Sequence, residues 1–239
     1  RASLILRPID EEIIKAVAAA NPRTVVSIVA AGAVLTEAWR QKVPAILMMW
    51  YAGMEGGHAL ADVLTGAKNP SGHLPFSIPT STEHLPLFDR HATAITYDRF
   101  HGQRLLDKLG VAPAYPHGFG LSYTTFTIDD VTVSEAAEGG ARVKVTVTNT
   151  GKRDGHHVVQ VYGRRASGPH AGELWLTGFA AVKVPAGKTV PVEVEVSFTP
   201  LALWDKKAGK RILPEASNVV LEVGSFAHDP AAAVLQVKS

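Results

Sequence analysis

The 239 residues predict two unlike folds in series: a partial α/β/α sandwich with a mainly parallel sheet over residues 1–115, then an antiparallel β-sandwich over residues 116–239. Three observations carry this. Up to about residue 115, short apolar runs alternate with segments of helical period. The helical period then disappears. From Tyr123 onward a strict two-residue alternation takes over, which places successive side chains on opposite faces of a strand. Apolar residues make up 46% of the chain and charged residues 19%, so each half has enough apolar material for a core and too little charge for a disordered chain.

In the first half, Asp10 is read as the N-cap of a helix with Ile9, Ile13, Ile14 and Val17 on one face, stopped by Asn21-Pro22. Thr24–Ala30 is a short β-branched run, Thr36–Gln41 a short helix and Val43–Trp50 a second apolar strand. Met54–Leu64 follows as a helix ended by Gly66, and His73–Ile78 as a third strand. Apolar strands separated by helices imply a parallel sheet covered on both faces. In the second half, Arg142–Thr148 and Val190–Ser197 alternate strictly, and His157–Tyr162, Leu174–Val184, Val219–Gly224 and Val234–Val237 supply further strands. Asn149-Thr150-Gly151 and Pro185-Ala186-Gly187 are turns between them. About seven short strands at this spacing make a sandwich.

Composition closes several functional classes. The chain has no cysteine, which removes disulfides, thiol nucleophiles and thiolate metal sites. Its longest apolar run, Val43–Ala52, is too short to cross a bilayer, so no membrane partner is expected. Net charge is +2, and the one basic cluster, Asp205–Arg211, is too short for a nucleic-acid footprint. None of the ten histidines has zinc-ligand spacing, and neighbours His156 and His157 point to opposite faces of a strand. No metal and no cofactor are therefore expected. The start, Arg1-Ala2-Ser3-Leu4, shows no targeting pattern, and the compartment stays open between cytoplasm and secretion. Homo-oligomerisation stays open as well.

Two long motifs carry most of the functional information. Trp50–Pro79 reads WYAGMEGGHALADVLTGAKNPSGHLPFSIP and Tyr115–Phe126 reads YPHGFGLSYTTF. Together they resemble the C-terminal half of glycoside hydrolase family 3, the β-glucosidase and β-xylosidase family. The first is similar to that family's WYPGxEGGxAxADVLxGxxNPSGxLPxxxP and the second to its YPFGxGLSYTxF, with His117 in place of Phe. The order of strands after residue 140 resembles the fibronectin type III-like domain that ends many such enzymes.

The resemblance implies a retaining exo-β-glycosidase acting on a β-glucoside or related sugar. Such an enzyme needs two carboxyl groups about 5–5.5 Å apart. In the family the nucleophile sits on a TIM-type barrel. The acid/base is often a glutamate in E-x-x-D-R followed by a Ser-Leu pair, and Arg1-Ala2-Ser3-Leu4 resembles the tail of that pattern. Both catalytic carboxylates are thus expected outside this chain, and its expected partner is the N-terminal barrel portion of the same enzyme.

Two residues remain as candidates for the rim of the substrate site. Glu55 lies in the first motif, at a strand–turn–helix junction, where a first-turn carboxylate satisfies helix amides and complements the dipole. Arg104 lies in Ile95–Gly110, where relatives carry a segment like GYRxxD. This chain keeps Gly102, Arg104 and Asp107 there but has Gln103 for the aromatic residue. The bland readings are a helix cap for Glu55 and a carboxylate-paired clamp for Arg104. Trp175, Trp204 and Tyr162 are read as sandwich core in preference to a sugar-stacking platform. Two other functions stay in view, a non-catalytic carbohydrate- or protein-binding module and a nucleotide-binding α/β protein.

Overall fold

The computed structural model describes residues 4–89, 91–134 and 139–238, so the Arg1-Ala2-Ser3 part of the opening pattern lies outside the described residues. The chain divides into two compact units. One comprises Arg1–Lys68 with Phe76–His117, the other Asn69–Pro75 with Gly118–Ser239.

The first unit is α/β. Helix α1 runs Pro8–Ala20 and is entered through Arg7, with Pro8 in its first turn. Proline has its φ preset for that position and gives up an amide that would be unpaired anyway. Asp10 therefore falls inside the first turn rather than capping it, and the Arg7 guanidinium, 2.8 Å away, holds its carboxyl below the usual range. Strands β1 (Val25–Ile28) and β2 (Ala45–Met48) pair in parallel, Val25 opposite Ala45 and Ile28 opposite Met48. Helix α2 (Gly56–Thr65) ends at Gly66 in the left-handed region, and α3 spans Gln103–Leu109.

Two sequence expectations fail in this unit. Thr36–Gln41 forms turns leading into one 3-10 turn at Arg40–Lys42, not a helix. His73–Ile78 is not a strand: only Ile78 bridges, antiparallel to Tyr115. Prolines at 75 and 79 remove the amides a third ladder would need. The buried apolar set is small, with Val34, Leu35, Trp39, Ile78, Leu106 and Ala114. Ile9, Ile13 and Val17, the apolar stripe of α1, are about half exposed.

The second unit is the antiparallel sandwich. Its three-stranded sheet is built from β3 (Phe126–Val133), β4 (Gly140–Asn149) and β7 (Thr189–Ser197), in the order β3-β4-β7. The facing sheet contains β5 (Gly155–Arg165), β6 (Trp175–Val184), β10 (Val219–Gly224) and β11 (Ala233–Gln236), in the order β11-β10-β5-β6. A separate hairpin pairs β8 (Leu203–Asp205) with β9 (Lys210–Ile212). Alternation does what the sequence implies. Val143, Val145 and Val147 enter one core with Val192, Val194, Val196, Val159, Val161, Val219 and Leu221. Between them, Arg142 and Lys144 point outward and pair with Glu193 across the strands. His156 is exposed and His157 buried, as the strand period requires.

Residues 69–75 and 118–126, the ends of the two motifs, lie on this sandwich. Asn69 donates to the Asp154 carbonyl at 3.0 Å and accepts from Ser122 Oγ and the Tyr123 amide at 2.9 and 2.8 Å. Leu74 and Gly118–Phe119 exchange two backbone bonds. The Gly118 carbonyl accepts from His73 Nδ1 at 2.6 Å and from Gln160 Nε2 at 3.0 Å. Gln160 also donates to the Ser225 carbonyl and accepts from the Tyr162 hydroxyl at 2.7 Å. A Cβ on Gly120 would run into the Gly72 carbonyl oxygen, which is backbone and cannot swing aside. Gly120→Ala is therefore expected to destabilise the chain by about 1–3 kcal/mol. Gly57→Ala, in open space within α2, is expected to leave it unchanged or raise it by about 0.5–1 kcal/mol. Thermal or denaturant unfolding of the pair checks both signs.

His157 provides a second test. Burial first, against Phe126, and then the neighbouring His73 together push its imidazole down to about 4, with Asp229 opposing them. Its Nε2 is buried without a hydrogen-bond partner among the described residues. Above the ordinary value of 6.5 the ring is neutral in both folded and unfolded chain. Below it the unfolded chain takes the proton first, so stability falls from pH 6.5 towards 4, by up to about 3 kcal/mol. His157→Phe is expected to flatten that part of the pH–stability curve, measured by urea unfolding.

Candidate functional site

The loops that follow parallel strands are where α/β sheets place their ligands. Here β2 ends at Met48, the Met49 amide still donates to the Ile28 carbonyl at 2.9 Å, and the chain then turns through Trp50-Tyr51-Ala52-Gly53 into α2. Trp50 has φ 55°, a left-handed conformation that costs a bulky residue energy and clusters at ligand-contacting loops. Its ring holds the edge of Phe76 at 5.5 Å. The turn displays Tyr51 and Met54, the latter 96% exposed.

Glu55 is at the N-cap of α2, but its side chain makes no capping bond. That corrects the expectation that it satisfies the helix amides. Asp, Asn, Ser and Thr have the reach of a capping side chain; glutamate carries one methylene more. The carboxylate instead accepts from His58 Nδ1, one turn on, at 2.6 Å, and both side chains are well exposed. The carboxylate still lies beside the positive end of the helix dipole.

Arg104 lies in α3 and turns back on its own loop. Its Nε and Nη2 donate to the Arg99 carbonyl, each at 3.2 Å, and Nη2 donates to His101 Nε2 at 3.3 Å. The same loop carries Phe100, with the Arg99 guanidinium 4.3 Å from its ring centre and Lys108 Nζ at 4.0 Å. Both lie well within cation–π range. His117 is half-buried near Arg104, and burial first, then that guanidinium, lowers its basicity. Its imidazole is therefore held neutral at neutral pH.

The residue that organises this region was read in the sequence only as a departure from a pattern. Gln103 Oε1 accepts from Ser77 Oγ at 2.7 Å and from the His117 amide at 3.2 Å, while its Nε2 donates to Asp107 at 2.9 Å. One amide thus joins α3, the Phe76–Ile78 segment and the start of the second motif. A polar residue opening a helix in place of an aromatic was the available signal. The structure puts Glu55 with His58, and Arg104 with Arg99, His101 and the His117 neighbourhood. Glu55 and Arg104 thus take their side-chain partners from different segments. What the loops offer is hydrogen-bond donors and exposed aromatic surface. Among the described residues no three His, Asp or Glu side chains cluster in a way that could hold a metal ion. Among them, too, no helix is long and apolar enough to cross a membrane.

The three aromatics separate. Tyr162 is buried, its phenol pushed up by that burial, and Trp175 packs on the sandwich core. Trp204 is 62% exposed, which overturns its reading as core.

The chain is thus an α/β unit with loops at the carboxyl ends of parallel strands, joined in sequence to a seven-stranded antiparallel sandwich. The comparisons with known proteins make this specific. Residues 1–123 match the glycosyl hydrolase family 3 C-terminal domain, and residues 157–227 match a fibronectin type III-like domain. The chain belongs to glycosyl hydrolase family 3.

It is 37% identical over 194 residues to a periplasmic beta-glucosidase of Salmonella typhimurium, covering 77% of this chain and 25% of that protein. It is 35% identical over 238 residues to beta-glucosidase B of Emericella nidulans, covering 92% and 28%. The crystal structure of DesR, a beta-glucosidase from Streptomyces venezuelae, superposes with a TM-score of 0.83 at 35% identity, over 100% of this chain and 32% of that one. A family 3 beta-glucosidase of Bifidobacterium adolescentis superposes at 0.88 and 33% identity, over 99% and 36%. The chain thus spans about a quarter of the length of these curated relatives.

The Gln103 network yields a direct test. Gln103→Leu leaves the buried Ser77 hydroxyl and the His117 amide without their acceptor, which typically costs about 1–3 kcal/mol. The expected result is a lowered melting temperature together with faster hydrogen exchange at the His117 amide. Unchanged exchange there would show that the network does not hold the loop.

Proposed function

We propose that this chain is the C-terminal portion of a retaining exo-β-glycosidase of β-glucosidase type that releases terminal β-linked sugars. Its two expected domains, residues 1–115 and 116–239, accompany a TIM-type barrel that supplies the nucleophile and the acid/base. The observation that carries this reading is the pattern of coverage: nearly the whole chain aligns with beta-glucosidases, yet accounts for only 28% of one such relative's length. The exposed stripe Ile9, Ile13 and Val17 on α1 is the surface on which we place the remainder of the enzyme. In that assembly one carboxylate attacks the anomeric carbon while the other protonates the leaving oxygen, and the glycosyl-enzyme is then hydrolysed with retention.

Glu55 and Arg104 take roles on the rim. The Arg104 guanidinium donates to sugar hydroxyls, and the Trp50–His58 turn lines the approach. The 239-residue chain by itself is expected to hydrolyse an aryl β-glucoside no faster than buffer, because no covalent intermediate forms without the barrel carboxylate. Joined to the upstream portion of its own reading frame, it is expected to give β-glucose first, seen by proton NMR of the anomeric signal. Turnover by the highly purified chain, abolished by changing one of its own carboxylates, would overturn the proposal.

A further inference from the structure

We infer that the β8–β9 hairpin is a docking surface for acidic polysaccharide. Residues 203–212 carry four cations, Lys206, Lys207, Lys210 and Arg211, against the single carboxylate of Asp205. The hairpin is thus more positive than the entire chain, whose net charge is +2. That one carboxylate is already engaged, since Asp205 Oδ1 accepts from the Lys207 and Ala208 amides at 2.8 and 3.1 Å and so builds the turn. All four cations are exposed, and none forms an ion pair among the described residues.

Trp204 stands directly opposite Arg211 in the hairpin register, and opposed residues share a face. An exposed indole beside a guanidinium on one face, with ammonium groups at the tip, combines two recognition chemistries. The indole face suits the C–H face of a pyranose ring, and the cations suit carboxylates carried on it. A polymer of uronic acids presents both together. A nucleic acid would ask for a longer basic track than four side chains at one tip provide.

The surface is also preformed. At its base Leu201 and Pro214 are buried, the Leu201 carbonyl accepts from Arg165 Nη1 at 3.0 Å, and Gly209 closes the turn at φ 63°. The backbone of the turn therefore needs little further ordering on binding.

The test is affinity electrophoresis and titration of the 239-residue chain with polygalacturonate. Fully methyl-esterified polygalacturonate and a DNA duplex serve as comparison probes. Polygalacturonate is expected to bind, and the methyl ester to bind at least tenfold more weakly. Trp204→Ala is expected to weaken binding about tenfold, Trp204→Phe to restore most of it, and the double change Lys206→Ser, Lys210→Ser to weaken it at least as much as Trp204→Ala. All these positions are at the surface, so melting temperatures should match the parent. No binding by the parent chain, binding indifferent to Trp204, or a DNA duplex bound more tightly through the same residues would each overturn the inference. No turnover is measured, so the result stands apart from whether the chain serves a glycosidase.

Discussion

The sandwich unit depends on satisfying one buried amide. Gln160 faces inward from β5 with 3% exposure, in surroundings where an unpaired amide costs several times what a paired one contributes. Its oxygen is met by Tyr162, and its nitrogen by the carbonyls of Gly118 and Ser225. For the Gly118 carbonyl to reach that position, the backbone must come so close that a Cβ there would run into Gln160 and Tyr162. Two residues on, Gly120 presses against the Gly72 backbone. The first glycine of the second motif's Gly-Phe-Gly is thus required by Gln160, and the second by the Gly72 carbonyl. The Asn-Pro-Ser-Gly of the first motif is drawn into the same arrangement through Asn69 and His73. These two stretches of the motifs, residues 69–75 and 118–126, serve here as packing geometry.

This explains which parts of the fold were legible in the sequence. Where a segment's structure follows from its own pattern, reading succeeds: Val219–Gly224 was found to the residue, and the valine alternation of β4 and β7 fixed which side chains form the core. Where structure follows from a distant partner, reading fails. His73–Ile78 has strand composition, yet its first half is taken by the sandwich and its prolines forbid a ladder. The β8–β9 hairpin escaped notice because three-residue arms are shorter than any periodicity can register. Asp10 lost its capping role to a proline two residues earlier, a competition the sequence did display.

The candidate site shows the same division. Glu55 and Arg104 stood out because they occupy recognisable motifs, and they lie at the N-cap of α2 and within α3 of the α/β unit. Gln103 did not stand out, since an amide's importance lies in its acceptors and donors rather than in its neighbours along the chain. Ser77 and Asp107 gave no sign of being its partners. Trp204 was misjudged for the converse reason: aromatic residues in a strand are ordinarily core, and only the isolation of its hairpin leaves the ring uncovered.

The two units also differ in what they leave uncommitted. In the sandwich nearly every polar group that enters the interior finds a partner, and its fifteen-residue apolar core is closed on itself. Such a unit has little reason to move, and what it offers to the outside is confined to its surface furniture, above all the basic hairpin. The α/β unit has the opposite balance. A two-stranded parallel sheet cannot cover both of its faces, and α1 keeps its apolar stripe half exposed. Its loops carry a strained tryptophan, exposed aromatics and guanidinium donors. Burial still to be completed and aromatic side chains open to solvent therefore fall on the same unit.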